Sequence, residues 1–178
     1  HNAAMILETL QYPARQVELA KIAGFLHDIG NVINRNDHAQ SGAVMAFRIL
    51  DKLGMPADEI ATVCSAIGNH DESTAFPVNA VAAALILADK TDVRRTRVRN
   101  RDKATFDIHD RVNYAVEKAS TTLDAAGKAV VLDLQLDTGM SPVIDYFEIF
   151  LERMLLCRKA AEELGLSFRL VVNGQTVL

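Results

Sequence analysis

The chain has 178 residues, 49% of them hydrophobic and 24% charged, with a formal net charge of −4. That length suits one domain with a small appendage, and that composition excludes a disordered chain. The charge argues against binding of duplex nucleic acid or an anionic membrane, and no apolar run approaches the roughly 20 residues that span a bilayer.

The segment from Pro13 to Gly30 puts proline at a first helical position and glycine at a stop. Between them Val17, Leu19, Ala20, Ile22, Ala23, Phe25, Leu26 and Ile29 form a broad apolar face. Polar residues 31–37 predict a loop, and Asp37 caps a second helix running from His38 to Leu53 and stopping at Gly54. Pro56 opens a third helix, through Ile60, Val63, Cys64 and Ile67 to about His70. After a loop over 72–77, Val78 to Arg95 predicts an alanine-rich fourth helix, apolar enough to be central to the core. Residues 108–123 predict a fifth. Cys64 and Cys157 fall in helix-like segments without metal-ligand spacing, and read as buried thiols of a reducing, cytoplasmic compartment.

The pattern changes near Gly127. Val130, Leu132, Leu134 and Leu136 alternate with other residues over 129–136, the period of a half-buried strand. Ser141-Pro142 starts a helix that runs to Leu164 and stops at Gly165. Phe168 to Val172 and Gln175 to Leu178, joined by Asn173-Gly174, predict a hairpin with a tight turn. The expected fold is mainly α, a helical domain over 1–126 followed by a small strand–helix–hairpin (α+β) appendage over 127–178. The appendage helix carries more apolar residues than one stripe needs, among them Phe147, Phe150, Met154 and Leu155. Its excess is buried against the helical core or against the same unit of a second subunit. A homodimer in which both contribute is expected, the alternative being a monomer whose core this unit covers.

Five histidines occur: His1, His27, His38, His70 and His109. His27-Asp28 closes the apolar string Phe25-Leu26-His27-Asp28-Ile29-Gly30. Burying an adjacent histidine and carboxylate costs free energy unless a partner offsets it. A divalent metal does so, because neutral imidazole and carboxylate suit Zn, Mn and Fe. Alone, the dipeptide reads equally as a helix end, with His27 capping carbonyls and Asp28 facing water. His38 opens a helix in His38-Ala39-Gln40-Ser41-Gly42, and His70 closes one in Gly68-Asn69-His70-Asp71-Glu72. Asp89 follows the apolar run Ala84-Leu85-Ile86-Leu87-Ala88. Singly these are a helix-cap histidine, a loop-edge histidine and a buried ion pair. Together, in a chain with few histidines, they point to a metal centre. His109 fits no such pattern and reads as a surface histidine.

The order His1, His27-Asp28, His38, His70, Asp89 resembles the HD-domain superfamily of metal-dependent phosphohydrolases, over about the first half of the chain. Leu26-His27-Asp28-Ile29-Gly30, His38 leading to Gly42, and Ala88-Asp89-Lys90-Thr91-Asp92 also look like that family. The resemblance implies a helical core with two divalent transition metals (Fe, Mn or Zn) at its centre. It implies His1, His27, Asp28 and Asp89 on the first metal and His38 and His70 on the second, with Asp28 bridging. Asp71, Glu72 and Asp92 join Asp28 as candidate catalytic residues, orienting water or a ligand histidine. The chain departs from the family in three places. Asn31 stands where many two-metal members have a lysine facing phosphate, and Asn69 where many have a further histidine. The Gly-Tyr-Pro signature of the cyclic-dinucleotide phosphodiesterases is absent.

Six of the 19 cationic residues, Arg94, Arg95, Arg97, Arg99, Arg101 and Lys103, follow closely on Asp89. Lys90, Arg94, Arg97 and Arg101 are the candidates for contacting substrate phosphate, since guanidinium groups match phosphate oxygens bidentately. The plainer reading is a solvated face paired with Asp102, Asp107 and Asp110. The expected activity is hydrolysis of a phosphomonoester or phosphodiester of a small molecule, such as a nucleotide, by a metal-activated hydroxide. Two other classes fit the same ligands: an HD-type di-iron oxygenase, and a non-catalytic regulatory module that binds a metal or nucleotide.

Overall fold

The computed structural model describes residues 1–72, 75–93, 95–98, 100, 102, 105–124 and 126–178, with residue 97 described in its backbone alone. α1 (Asn2–Thr9) turns into α2 (Ala14–Leu26), which gives way at His27 and Asp28 to a 3-10 turn, Ile29–Val32. α3 (His38–Lys52) packs on α4 (Ala57–Gly68), and α5 (Ala80–Lys90) follows. Asp37 occupies the N-cap position of α3, as expected, but in the left-handed region at φ 56° and with no side-chain capping bond. The same end of this helix pair is tied by Gln40, whose Nε2 donates to the Gly68 carbonyl at 2.8 Å, closing the C-terminal end of α4.

The centre of the helical part is α5. Val81 through Leu87 are all buried, so this helix has no water-facing side and must be enclosed. α1, α2, α4 and α7 (Val143–Glu163) surround it. Burying each of Leu85, Ile86 and Leu87 contributes about 1.5–3 kcal/mol. Asn79 caps its start, accepting from the Ala82 N–H at 2.8 Å, while its amide donates to Ser65 Oγ on α4 at 3.0 Å.

After α6 (Ile108–Ala115) the chain enters β1 (Val116–Asp124), where continued helix was expected. Glu117, Lys118 and Ala119 are adequate helix formers, but β1 pairs antiparallel along its length with β2 (Ala129–Leu136). That ladder overrides a weak local preference. β2 connects through α7 to β3 (Ser167–Val172), which lies parallel to it with Val130 beside Phe168 and Leu134 beside Val172. A parallel pair needs a crossover, and α7 supplies it. β4 (Gln175–Thr176) returns antiparallel on β3 through Asn173 and Gly174 at φ 50° and 80°, the tight turn that the sequence predicts. The hairpin therefore belongs to a four-stranded sheet, ordered β1-β2-β3-β4.

α7 touches α5 and α6 as well as β2 and β3. It buries Tyr146, Phe150, Met154, Leu156, Cys157, Ala160 and Ala161, more than one stripe, while Ile144 and Leu151 stay exposed. The mainly helical class with a small α+β appendage is the one the sequence predicts, and one continuous apolar core runs through both parts. Among the described residues no helix is long and apolar enough to cross a membrane.

α3 approaches the turn after α2 closely because glycine stands on both sides. A Cβ on Gly30 would fall 2.0 Å from the His38 carbonyl oxygen and 2.7 Å from the Gly42 nitrogen. A Cβ on Gly42 would stand 3.3 Å from the Gly30 nitrogen and 3.4 Å from the His27 carbonyl. Backbone thus lies on backbone beside His27 and His38. Gly30→Ala should destabilise the fold by about 2–3 kcal/mol, as overpacking against an immovable backbone does. Gly24→Ala, whose Cβ meets nothing within 4 Å, should be neutral or stabilising by up to about 1 kcal/mol. Urea-unfolding midpoints measure both, and equal midpoints for the two variants would refute the close-packing account.

Candidate metal centre

Each candidate ligand sits at the end of a helical element, where side chains can leave the helix axis. His27 and Asp28 occupy the break after α2, His38 is the first residue of α3, His70 follows the end of α4, and Asp89 lies in the last turn of α5. The three histidines share one local bond. His27 Nδ1 meets the Gly24 carbonyl at 2.9 Å, His38 Nδ1 the Arg35 carbonyl at 3.0 Å, and His70 Nδ1 the Ile67 carbonyl at 2.6 Å. A carbonyl oxygen only accepts, so each Nδ1 carries the proton and, in the neutral ring, each Nε2 presents a lone pair.

Those Nε2 atoms converge. His38 and His70 place theirs 3.2 Å apart, and both side chains are almost wholly buried, at 2% and 1% exposure. Two facing lone pairs at that distance repel unless a cation lies between or beside them. Asp28 divides its carboxylate between two partners: Oδ2 is 3.6 Å from His27 Nε2, and Oδ1 is 3.4 Å from His38 Nε2. Asp89 Oδ1 is 3.9 Å from His27 Nε2. Ligand atoms of His27, Asp28 and His70 all lie within 4.8 Å of one another. Ligands bound to one ion at about 2.0–2.2 Å sit roughly 3–3.5 Å apart, so this donor set fits a divalent metal with small adjustments.

Around these atoms is a ring of charge. Lys90 is buried, and its ammonium lies 2.8 Å from Asp89 Oδ2, 3.4 Å from Glu72 Oε2 and 4.0 Å from Asp71 Oδ1. Burial alone would raise the Asp89 carboxyl, but the charges around it, the Lys90 ammonium foremost, together hold Asp89 below the ordinary aspartate value. Burial likewise opposes Lys90 and Arg153 at Glu72, and the two cations win there too. Arg153 donates from Nε to Glu72 Oε1 at 2.6 Å. Asn31 Nδ2 donates to Asp28 Oδ1 at 2.8 Å, and Arg35 Nη1 stands 3.9 Å from the same oxygen. Asp28, Arg35, His38, Asp89, Lys90 and Arg153 line one small pocket.

The structure thus brings together His27, Asp28, His38, His70 and Asp89, with Asp71, Glu72 and Lys90 beside them. His1 stands exposed at the N-cap position of α1. Asp92 faces a different cavity of about 890 Å³, between α1, the end of α5 and the sheet, whose lining also includes Asn2, Ile6, Ala88 and Leu123. Arg94, Arg101 and the side chain of Arg97 lie outside the described residues. Sequence reasoning overlooked Asn31 as a partner of Asp28, although its spacing of three residues is a local signal. It also overlooked Arg153, which no local signal could have found, since Glu72 and Arg153 are 81 positions apart.

Helices whose ends converge on imidazole lone pairs and carboxylates define a helical metal-centre protein. The HD domain family model matches residues 1–94, just over half of the chain, and the chain belongs to this family. HD domains form a superfamily of metal-dependent phosphohydrolases that bind divalent metals, which makes the protein a metal-dependent hydrolase by family. His27 through Asp89 lie within the matched stretch, and α6, α7 and the sheet lie beyond it. No curated protein and no solved structure matches the chain.

Burial, helped by the nearby Lys90 charge, lowers His70 below the ordinary histidine value of 6.5. The folded state therefore refuses a proton that the unfolded chain accepts below that value. His70 costs nothing at higher pH and subtracts stability as pH falls through about 6.5. Asp89 and Glu72, with lowered values, lose their contribution only further down, below the ordinary carboxylate range near about 4. Metal-free protein should melt at a lower temperature at about pH 5.5 than at about pH 7.5, and His70→Asn should shrink that difference. An unchanged pH dependence in the variant would remove His70 as its source.

Proposed function

We propose that the protein hydrolyses a phosphomonoester or phosphodiester of a small molecule, such as a nucleotide, at a pair of divalent transition metals (iron, manganese or zinc). The observation that carries this reading is the divided Asp28 carboxylate, one oxygen toward His27 and the other toward His38. In this reading His1, His27 and Asp89 would hold one metal, His38 and His70 the other, and Asp28 would be shared. When bound, such metals acidify a water and draw charge from a phosphoryl group. The chain's own part is to hold that arrangement ready. Three backbone carbonyls keep the histidine lone pairs pointing inward. Asn31 steadies the Asp28 oxygen, and Lys90 keeps Asp89 ionised, so that Lys90 serves the substrate through Asp89. Asp28 is the half-exposed member of the set, and the substrate reaches the centre from its side. Arg94, Arg97 and Arg101 remain sequence-based candidates for the outer part of a phosphorylated substrate.

Metal analysis of the purified protein, followed by assay on p-nitrophenyl phosphate and bis(p-nitrophenyl) phosphate with the metal found, tests this directly. Asp28→Ala should lose nearly all of both metals. Asp89→Ala should lose chiefly one and His70→Ala chiefly the other, since losing a ligand typically costs metal affinity steeply. Full metal content in His70→Ala would rule out the second metal. Bound iron, with activity that vanishes on removal of dioxygen, would replace the hydrolase by an oxygenase.

A further inference from the structure

We infer that Arg153, supplied by the C-terminal unit, is the cation that grips the substrate's phosphoryl group at the metal centre. The inference rests on the phosphoester reading above and names its anion-binding residue. Among the described residues three cations line the pocket beside Asp28, His38 and Asp89: Arg35, Lys90 and Arg153. Lys90 is committed, its ammonium lying among Asp89, Glu72 and Asp71. Arg35 is 69% exposed and loosely held, 3.5 Å from Asn31 Oδ1 and 3.9 Å from Asp28 Oδ1.

Arg153 differs from both. Its side chain is 23% exposed, its Nε is fixed by Glu72 at 2.6 Å, and its guanidinium carbon sits 4.7 Å over the Phe150 ring. These two contacts set the position and the plane of the guanidinium and use one of its five N–H donors. Among the described residues the Nη atoms have no hydrogen-bond partner, and the group opens on the pocket that Asp28, His38 and Asp89 share. A guanidinium already fixed in place loses little freedom on binding, and its two-pronged edge matches two phosphoryl oxygens. The surrounding charge says when it does so. Among the described residues Asp28, Asp71, Glu72 and Asp89 outnumber the three cations, so in this set an anion is repelled without metal, and divalent metals reverse the sign. The anion is thus drawn in only at a loaded centre. Arg153 lies beyond the stretch matched by the HD domain, so the C-terminal unit completes a site whose metal ligands come from the helical part.

The test titrates metal-loaded full-length protein, R153Q and R153K with inorganic phosphate by calorimetry. Metal content and melting temperature are recorded on the same samples, and KM is recorded with p-nitrophenyl phosphate. R153Q should keep its metal and bind phosphate about 10- to 100-fold more weakly, with R153K in between because it keeps the charge and loses the planar fork. Unchanged phosphate affinity in R153Q at equal metal content overturns the inference. So does a loss of metal and melting temperature in both variants that accounts for the weaker binding, since Arg153 is then only a partner of Glu72. A parent that binds phosphate through Arg153 yet cleaves no phosphoester sinks the hydrolase reading and leaves the grip standing. A parent that binds no phosphate ends the grip as well.

Discussion

Among the described residues, the centre of this protein gathers hydrogen-bond acceptors with too few donors to match them. The Nε2 lone pairs of His27 and His38 face the carboxylates of Asp28 and Asp89, and those of His38 and His70 face each other across 3.2 Å. Such a set is unfavourable in a buried place unless positive charge is brought to it. Much of the structure follows from that need. On one side Lys90 is taken almost wholly out of water to neutralise Asp89, with Glu72 and Asp71 balancing the ammonium in turn. On the other side the lone pairs and the shared Asp28 carboxylate remain for divalent cations, the partners that HD domains bind.

The backbone is arranged to deliver those atoms at fixed angles. Helix interiors point side chains along the axis surface, whereas helix ends let them turn inward, and every ligand in the cluster stands at or near such an end. The bond from Nδ1 to the carbonyl three residues earlier then chooses the tautomer and the ring direction together. Gly30 and Gly42 let two of those ends meet backbone to backbone, which is what brings His38 to Asp28. α5, buried on every face, carries Asp89 and Lys90 out of the apolar core at its last turn, so the charged pair is anchored to the most rigidly enclosed element.

The C-terminal unit belongs to the same construction. α7 crosses between two parallel strands and, in doing so, lies against α5 as well as the sheet. Having two surfaces to cover, it buries more than one apolar stripe. It contributes to the centre Arg153, whose bond to Glu72 joins the appendage to the ring of charge around Lys90. The unit therefore helps set the electrostatics of a site that the HD domain match alone would end at residue 94.

The sequence by itself determined the order of the helices after α1, the Asn173-Gly174 hairpin, and His27, Asp28, His38, His70 and Asp89 as candidate ligands. Those features are written locally: a proline or glycine at a helix end, an apolar run interrupted by a charge, a turn dipeptide. Only the tertiary structure decided that 116–124 is a strand, because its partner β2 supplies ladder bonds that no local propensity contains. It also decided that α7 serves two surfaces, that Lys90 faces carboxylates, and that Arg153 meets Glu72. An ion pair 81 positions apart leaves no trace in spacing, since its geometry exists only once the intervening helices have packed.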